Sequence, residues 1–277
     1  MKNRDIKIDL GAVQETLMLP LLARAMECEK ENPILYDTYA RDIVASIDYD
    51  FSKLKALLTD DMHQMSFPIR ACNFDNTIKN FLEHNNKSIA VNIGAGLDTT
   101  FQRVDNGSVL WINIDLPDVV ALRQKLIPDS EREITIARSV FDFTWMDDIA
   151  QQQKGRSIMF MAAGVLCYFD PPSVKALFRK LADAYPSAHF VFDSFPWFTT
   201  WAWNIGVRIG KAHLSALMKW HLKRASRLKK WVDKIKIVEE YPIFARVKFR
   251  DDWSKKVIRG MRVTNLLRLS NMIHVQL

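Results

Sequence analysis

The chain has 277 residues, 48% hydrophobic, 26% charged and 11% aromatic, with a formal net charge of +7. These are globular averages that exclude a disordered, collagenous or mucin-like chain, and the length suits one large domain or a domain with a cap. Three widely spaced cysteines without a CxxC, and scattered histidines without ligand spacing, argue against a disulfide framework and a zinc site and fit a metal-free, cytoplasmic protein.

From the N-terminus, Lys2 and Arg4 are followed by Asp5 and Asp9, and Pro20 interrupts the next apolar run, so a cleaved signal peptide is not expected. Val13, Leu17, Leu21, Ala25 and Cys28 form a helical stripe that Pro20 kinks or divides. Asn32-Pro33 is a turn, and Phe74, Ile78, Phe81 and Leu82 give a second helical face. Residues 1–84 thus read as an N-terminal helical segment, and residues 85–277 as an α/β domain.

Within that domain, strands are expected near Ser88–Ile93, Val109–Ile114, Glu133–Arg138, Ser157–Ala162, Ala188–Asp193, Ile235–Glu240 and Met272–Leu277. Helices separate the first five, among them Pro117–Leu126 and a stretch from Pro171 with Asp170 as N-cap. Alternating strands and helices predict βαβ units, a mostly parallel sheet with helices on both faces. The interval 196–234 is too long for a crossover and reads as a cap insertion, starting with Trp197, Phe198, Trp201 and Trp203. These aromatics either pack the cap or wall an acceptor pocket. No stretch reaches eighteen apolar residues, so no membrane span is expected.

The basic charge is concentrated. Residues 208–236 hold ten Lys and Arg against Asp233, a sum of +9, and leave the rest at about −2. Leu214, Leu217, His221, Leu222, Ala225, Leu228 and Val232 recur at three-to-four spacing, so the expectation is an amphipathic helix with a solvated basic face. An electropositive wall for an acidic substrate, or a nucleic-acid or anionic-membrane patch, are the alternatives.

The chemistry is concentrated at the strand ends. Ile93-Gly94-Ala95-Gly96-Leu97-Asp98-Thr99 is a glycine turn after the first strand, and Thr99 replaces the third glycine of a dinucleotide fingerprint. Asp115 closes the second strand, 19 residues beyond Gly96, and is placed either to accept from a ribose or to cap the next helix. After the third strand, Asp142 can accept from an adenine amino group while a neighbouring backbone N–H donates to the ring. No P-loop and no GxSxG occur. Adenosine held without a phosphate cradle points to S-adenosylmethionine.

The residues Glu15-Thr16-Leu17, Ala23-Arg24-Ala25-Met26-Glu27, Gly94 to Thr99, Asp115-Leu116-Pro117-Asp118-Val119, Ala137 to Val140 and Gly164-Val165-Leu166-Cys167-Tyr168-Phe169 together resemble the leucine carboxyl methyltransferase superfamily. The likeness is to its bacterial branch, similar to tetracenomycin-type polyketide O-methyltransferases, and runs over roughly residues 14 to 240. The resemblance implies a Rossmann-like class I methyltransferase fold with a seven-stranded sheet and an added helical cap. It implies S-adenosyl-L-methionine as cofactor and S-adenosyl-L-homocysteine as product, with a carboxylate or hydroxyl of a small polyketide-like molecule, acidic or aromatic, as acceptor.

By the same resemblance, Arg70 would pair with the methionine carboxylate, Gly94 and Gly96 would line the turn, and Asp115 would hold the ribose. Asp142 and the Phe143 backbone would read the adenine. Two positions depart from the family pattern: Thr100 stands for an arginine after GLDT, and Ala163 for a glutamate before GVLxY. No residue is assigned as catalytic base, and His189, His213 and His221 are read as structural. The competing reading is a non-enzymatic or weakly active binding protein of the same fold that docks an acidic partner through its basic cap; nucleic acid is not an expected partner.

Overall fold

In the computed structural model, which describes residues 6–7, 15–209 and 216–277, the chain begins helical, as the apolar spacing predicts. Strand β1 (Ile6–Lys7) precedes helix α1 (Glu15–Cys28); α2 (Thr38–Ser46) leads into β2 (Ile47–Asp48), which pairs in parallel with β1. Helices α3 (Ser52–Leu57) and α4 (Asp61–His84) follow. Asp37 and Asp60 cap α2 and α4 by accepting from Ala40 N–H and His63 N–H. Leu21, Ala25 and Cys28 are buried, and Pro20 lies inside α1 without ending it. Val13 and the leading residues Lys2, Arg4, Asp5 and Asp9 lie outside the described residues.

The rest of the chain alternates. In order come β3 (Ser88–Ile93), α5 (Thr100–Val104), β4 (Leu110–Asp115), α6 (Pro117–Leu126), β5 (Glu133–Ala137), α7 (Trp145–Gln153) and β6 (Ser157–Ala162). Then follow α8 (Pro171–Ala184), β7 (His189–Ser194), α9 (Trp197–Arg208), β8 (Lys236–Pro242), α10 (Lys255–Leu267) and β9 (Asn271–Gln276). The seven expected strands, shifted by a residue or two at their ends, form one sheet in the order β5-β4-β3-β6-β7-β9-β8. Strands β3 to β7 run parallel, and β9 is antiparallel to both β7 and β8.

Side chains alternate across the pleat and divide the core in two. Ile89, Val91, Ile93, Ile112 and Ile114 face Trp145 and Ile149 of α7 and Val174, Leu177 and Phe178 of α8. On the other face Ala90, Trp111, Met159 and Val191 meet Phe74, Ile78 and Phe81 of α4 and Phe101 and Val104 of α5. A further cluster joins α1, α2 and α3 to Leu97 of the glycine turn, with Trp203 of α9 against it.

The basic segment differs from the expected amphipathic helix. Residues 210–215, which include His213 and Leu214, lie outside the described residues; from Ala216 to Lys223 the chain has no regular secondary structure, and Ala225–Lys230 winds as a 3-10 helix. Burial follows period two in the irregular part, as it does along an extended chain: Trp220 and Leu222 are buried while Lys219, His221 and Lys223 are exposed. Ala225 and Leu228 are then buried at the spacing of a 3-10 turn. No helix among the described residues is long and apolar enough to cross a membrane.

Candidate functional site

The strand order reverses between β3 and β6, and in an open parallel sheet the ligand crevice lies at the carboxyl ends beside that reversal. The glycine turn is there. Gly94 and Gly96 have φ of +65° and +49°, the left-handed region that a Cβ disfavours. Space forbids a side chain as well: a Cβ on Gly94 would stand 2.7 Å from Val165 Cγ2, and one on Gly96 2.9 Å from Leu17 Cδ2. Gly94 N–H donates to Ile114 O at 2.8 Å, tying the turn to the end of β4.

Asp115 sits beneath this turn. Its Oδ2 accepts from Gly96 N–H and its Oδ1 from Leu116 N–H, both at 2.7 Å. Burial pushes its carboxyl above the usual range, and the two N–H donors oppose that. Asp115 is not the N-cap of α6, which is Leu116, one residue further on.

Asp142 is exposed after β5, where its Oδ1 accepts from Thr144 Oγ1 (2.7 Å) and Thr144 N–H (3.2 Å). Those bonds hold its carboxyl below the usual range. Phe143 N–H has no hydrogen-bond partner among the described residues.

Arg70, on α4, reaches the other side of the crevice. Its Nη1 donates to Asp193 Oδ2 at 3.0 Å, and Asp193 Oδ1 accepts from Gly164 N–H at 2.7 Å. Gly164 has φ +71°, and a Cβ there would stand 2.7 Å from Arg70 Nη1. Asp193 stands one residue before the end of β7, much as Asp115 ends β4. An acid closing an apolar strand was the signal that marked Asp115, and the same signal was present in Ala188–Asp193.

Several motif residues brace the turn from behind. Asp37, 1% exposed, accepts from Thr99 Oγ1 (2.6 Å), Arg24 Nε (2.9 Å) and Arg103 Nη1 (2.8 Å). Burial raises the Asp37 carboxyl, but Arg24 and Arg103 outweigh it and hold the group below its ordinary value. Arg103 also grips Asp75 through two bonds of 2.8 and 2.9 Å and takes the Thr100 hydroxyl at 3.0 Å. Thr100 in turn donates to Asp98 at 3.0 Å, so a buried hydroxyl links Asp98 to Arg103 where the family pattern has arginine. Arg123 fixes the turn's carbonyls, Gly96 O at 3.0 Å and Asp98 O at 2.8 Å.

The structure thus brings together Gly96 with Asp115, and Arg70 with Asp193; Asp142 and Phe143 lie beyond β4 at the same carboxyl edge. Trp197 and Trp201 are 61% and 60% exposed, whereas Trp203 packs on the α1 cluster. His189 lies against Phe81 and His274 in the sheet, away from this edge.

A model of the leucine carboxyl methyltransferase family matches residues 18–182. The tetracenomycin polyketide synthesis O-methyltransferase TcmP of Streptomyces glaucescens is 31% identical over 192 residues, 69% of each chain. An S-adenosyl-L-methionine-dependent methyltransferase of Gibberella zeae, dpfgK, is 27% identical over 64% of this chain and 63% of its own length. Two solved structures share the fold. A putative methyltransferase from Thermobifida fusca has a TM-score of 0.58 at 15% identity, with 93% of each chain covered. A DUF574 family protein from Streptomyces avermitilis has a TM-score of 0.61 at 11% identity, covering 96% of this chain and 99% of that one.

Proposed function

The chain belongs to the leucine carboxyl methyltransferase family and is a methyltransferase, and from that premise we propose that it uses S-adenosylmethionine to methylate a carboxylate or hydroxyl oxygen of a small, polyketide-like molecule. The observation that carries this reading is the Asp115 carboxylate, pinned by two N–H donors beside the glycine turn. A carboxylate offers about four acceptor positions, so two remain for the hydroxyls of a ribose.

The other groups fit the same cofactor. The free oxygen of Asp142 and the unpartnered N–H of Phe143 form an acceptor and a donor for adenine. Arg70 keeps Nε and Nη2 without a partner among the described residues, and these suit a carboxylate. Asp193 offers negative charge for an ammonium group, and it bonds to Gly164 N–H next to Ala163, where the family pattern has glutamate.

When bound, the cofactor supplies a methyl group on a cationic sulfur, and transfer requires an acceptor oxygen held in line with the C–S bond. What the protein contributes is chiefly position. A carboxylate acceptor is ionised at neutral pH and needs no base, whereas a hydroxyl needs one. Tyr168, near Arg70 and Asp193, has its phenol pushed up by burial and by Cys167, the wrong direction for a base. His63 and His84 bond carbonyls along α4 or its approach, and His189 and His274 bond each other. None of these groups is placed as a base, which supports the carboxylate reading.

The test is equilibrium titration of S-adenosylmethionine into the wild-type protein and Asp115→Ala, followed by a screen of carboxylate and phenol acceptors. Saturable binding that collapses in the variant is the expected result. A folded wild-type protein that shows no binding at millimolar ligand overturns the reading.

A further inference from the structure

Helix α9 is bound to the protein along one side only. Of its residues only Thr200 is buried. Trp197, Trp201, Ile205 and Ile209, each four residues apart, are 61%, 60%, 36% and 59% exposed, a single apolar stripe along the solvent face. Large aromatic and aliphatic side chains in such a row are not needed for folding, and a contiguous exposed patch of this kind marks an interaction surface.

What lies beside the stripe identifies its partner. The segment 216–222 runs back along α9: Trp203 Nε1 donates to Ala216 O, Asn204 exchanges hydrogen bonds with Met218, and Leu222 N–H donates to Phe195 O. This brings exposed Lys219 and Lys223 alongside the helix, with exposed Arg208 at its end. An apolar row with exposed Lys219, Lys223 and Arg208 beside it has the chemistry of an interfacial element.

We propose that this face docks the protein on an anionic lipid bilayer, with Trp197 and Trp201 at the headgroup–acyl boundary and the basic band over the phosphates. A second copy of the chain is disfavoured, because a two-fold contact through the stripe places two like-charged bands side by side. Nucleic acid is disfavoured too, since Ile205 and Ile209 suit acyl chains and not stacked bases. The inference is independent of the methyl-transfer reading.

The experiment is co-sedimentation of the full chain with vesicles of mixed phosphatidylglycerol and phosphatidylcholine, and with phosphatidylcholine alone. Binding to the anionic vesicles, weakened in 1 M salt where the Debye length falls to about 3 Å, is the expected result. In Trp197→Ala/Trp201→Ala the partition coefficient should fall by about tenfold or more, with unchanged far-ultraviolet circular dichroism. Lys219→Glu/Lys223→Glu should weaken binding and flatten its salt dependence. The inference is overturned if the wild type ignores anionic vesicles, or if the double tryptophan variant binds as well as wild type. It is also overturned if the protein is a dimer that Trp201→Asp converts to monomer.

Discussion

Arg70 and Asp193, 123 residues apart in sequence, meet at 3.0 Å across the crevice, one from a helix and the other from the end of a strand. The pair is mostly shielded, with side-chain exposures of 16% and 1%. Removing one partner of such a pair strands the other charge, at a cost of roughly 3 to 5 kcal/mol when fully buried and less here. Asp193→Asn keeps the shape and loses the charge. Its denaturation midpoint should fall, and S-adenosylmethionine affinity should drop about tenfold or more, read by calorimetric titration. Unchanged affinity in a folded variant removes Asp193 from the site.

Alanine at the two turn glycines should have unequal effects. Both positions need positive φ, worth about 1 kcal/mol against a Cβ. At Gly96 the obstacle is the tip of flexible Leu17, but at Gly94 both methyls of β-branched Val165 stand within 2.8 Å. Urea titration should find Gly94→Ala the less stable of the two variants. Equal midpoints would show that Val165 yields as readily as Leu17.

Asp37 should prove a structural requirement despite its distance from any strand end. Asp37→Ala leaves buried Arg24 without a carboxylate and Arg103 with Asp75 alone. The expected loss is of order 3 kcal/mol or more in chemical denaturation. Thr99→Val, which deletes one hydroxyl, should cost about 1 kcal/mol. A mild Asp37→Ala phenotype would mean that the arginines repartner.

Stability should decline on mild acidification. His274 is buried in the sheet, and burial followed by the neighbouring His189 lowers it to about 4. The unfolded chain takes up a proton near pH 6.5 that the folded chain resists. The contribution is therefore complete above pH 6.5 and is lost as pH falls toward 4, amounting to at most about 3 kcal/mol. Urea midpoints measured from pH 7 to 4.5 should fall, and His274→Gln should flatten the slope. Parallel slopes in both proteins would assign the effect to other groups.

Much of this architecture was legible because sheet strands carry their own signal. Val91 and Ile93 alternate with smaller or polar neighbours, and an acid closes the next strand at Asp115, so the glycine turn and the acid beside it follow from local pattern and spacing. Arg70 was legible only through family resemblance, since its partner is remote and its helix says nothing about the crevice. The bracing by Asp37 was equally hidden, because its partners come from α1 and from the turn. The segment after Ala216 was misread for a different reason. Its leucines fall at three-to-four spacing by coincidence, while the sequence Lys219-Trp220-His221-Leu222-Lys223 alternates as an extended chain does, and Asn204 supplies the edge on which it lies.

The order of the last two strands has a bearing on how the chain is made. Strand β8 precedes β9 in sequence but lies outside it, at the sheet's edge, and among the described residues it pairs with β9 alone. During synthesis each of β4 to β7 emerges with one neighbour already made: β3 for β4 and β6, β4 for β5, and β6 for β7. By contrast, β8 must wait unpaired until residues 271–276 leave the ribosome and insert between it and β7. That late insertion exposes the open edge of β7 to other nascent chains, and the burial of Met272, Ile273, His274 and Val275 then closes it.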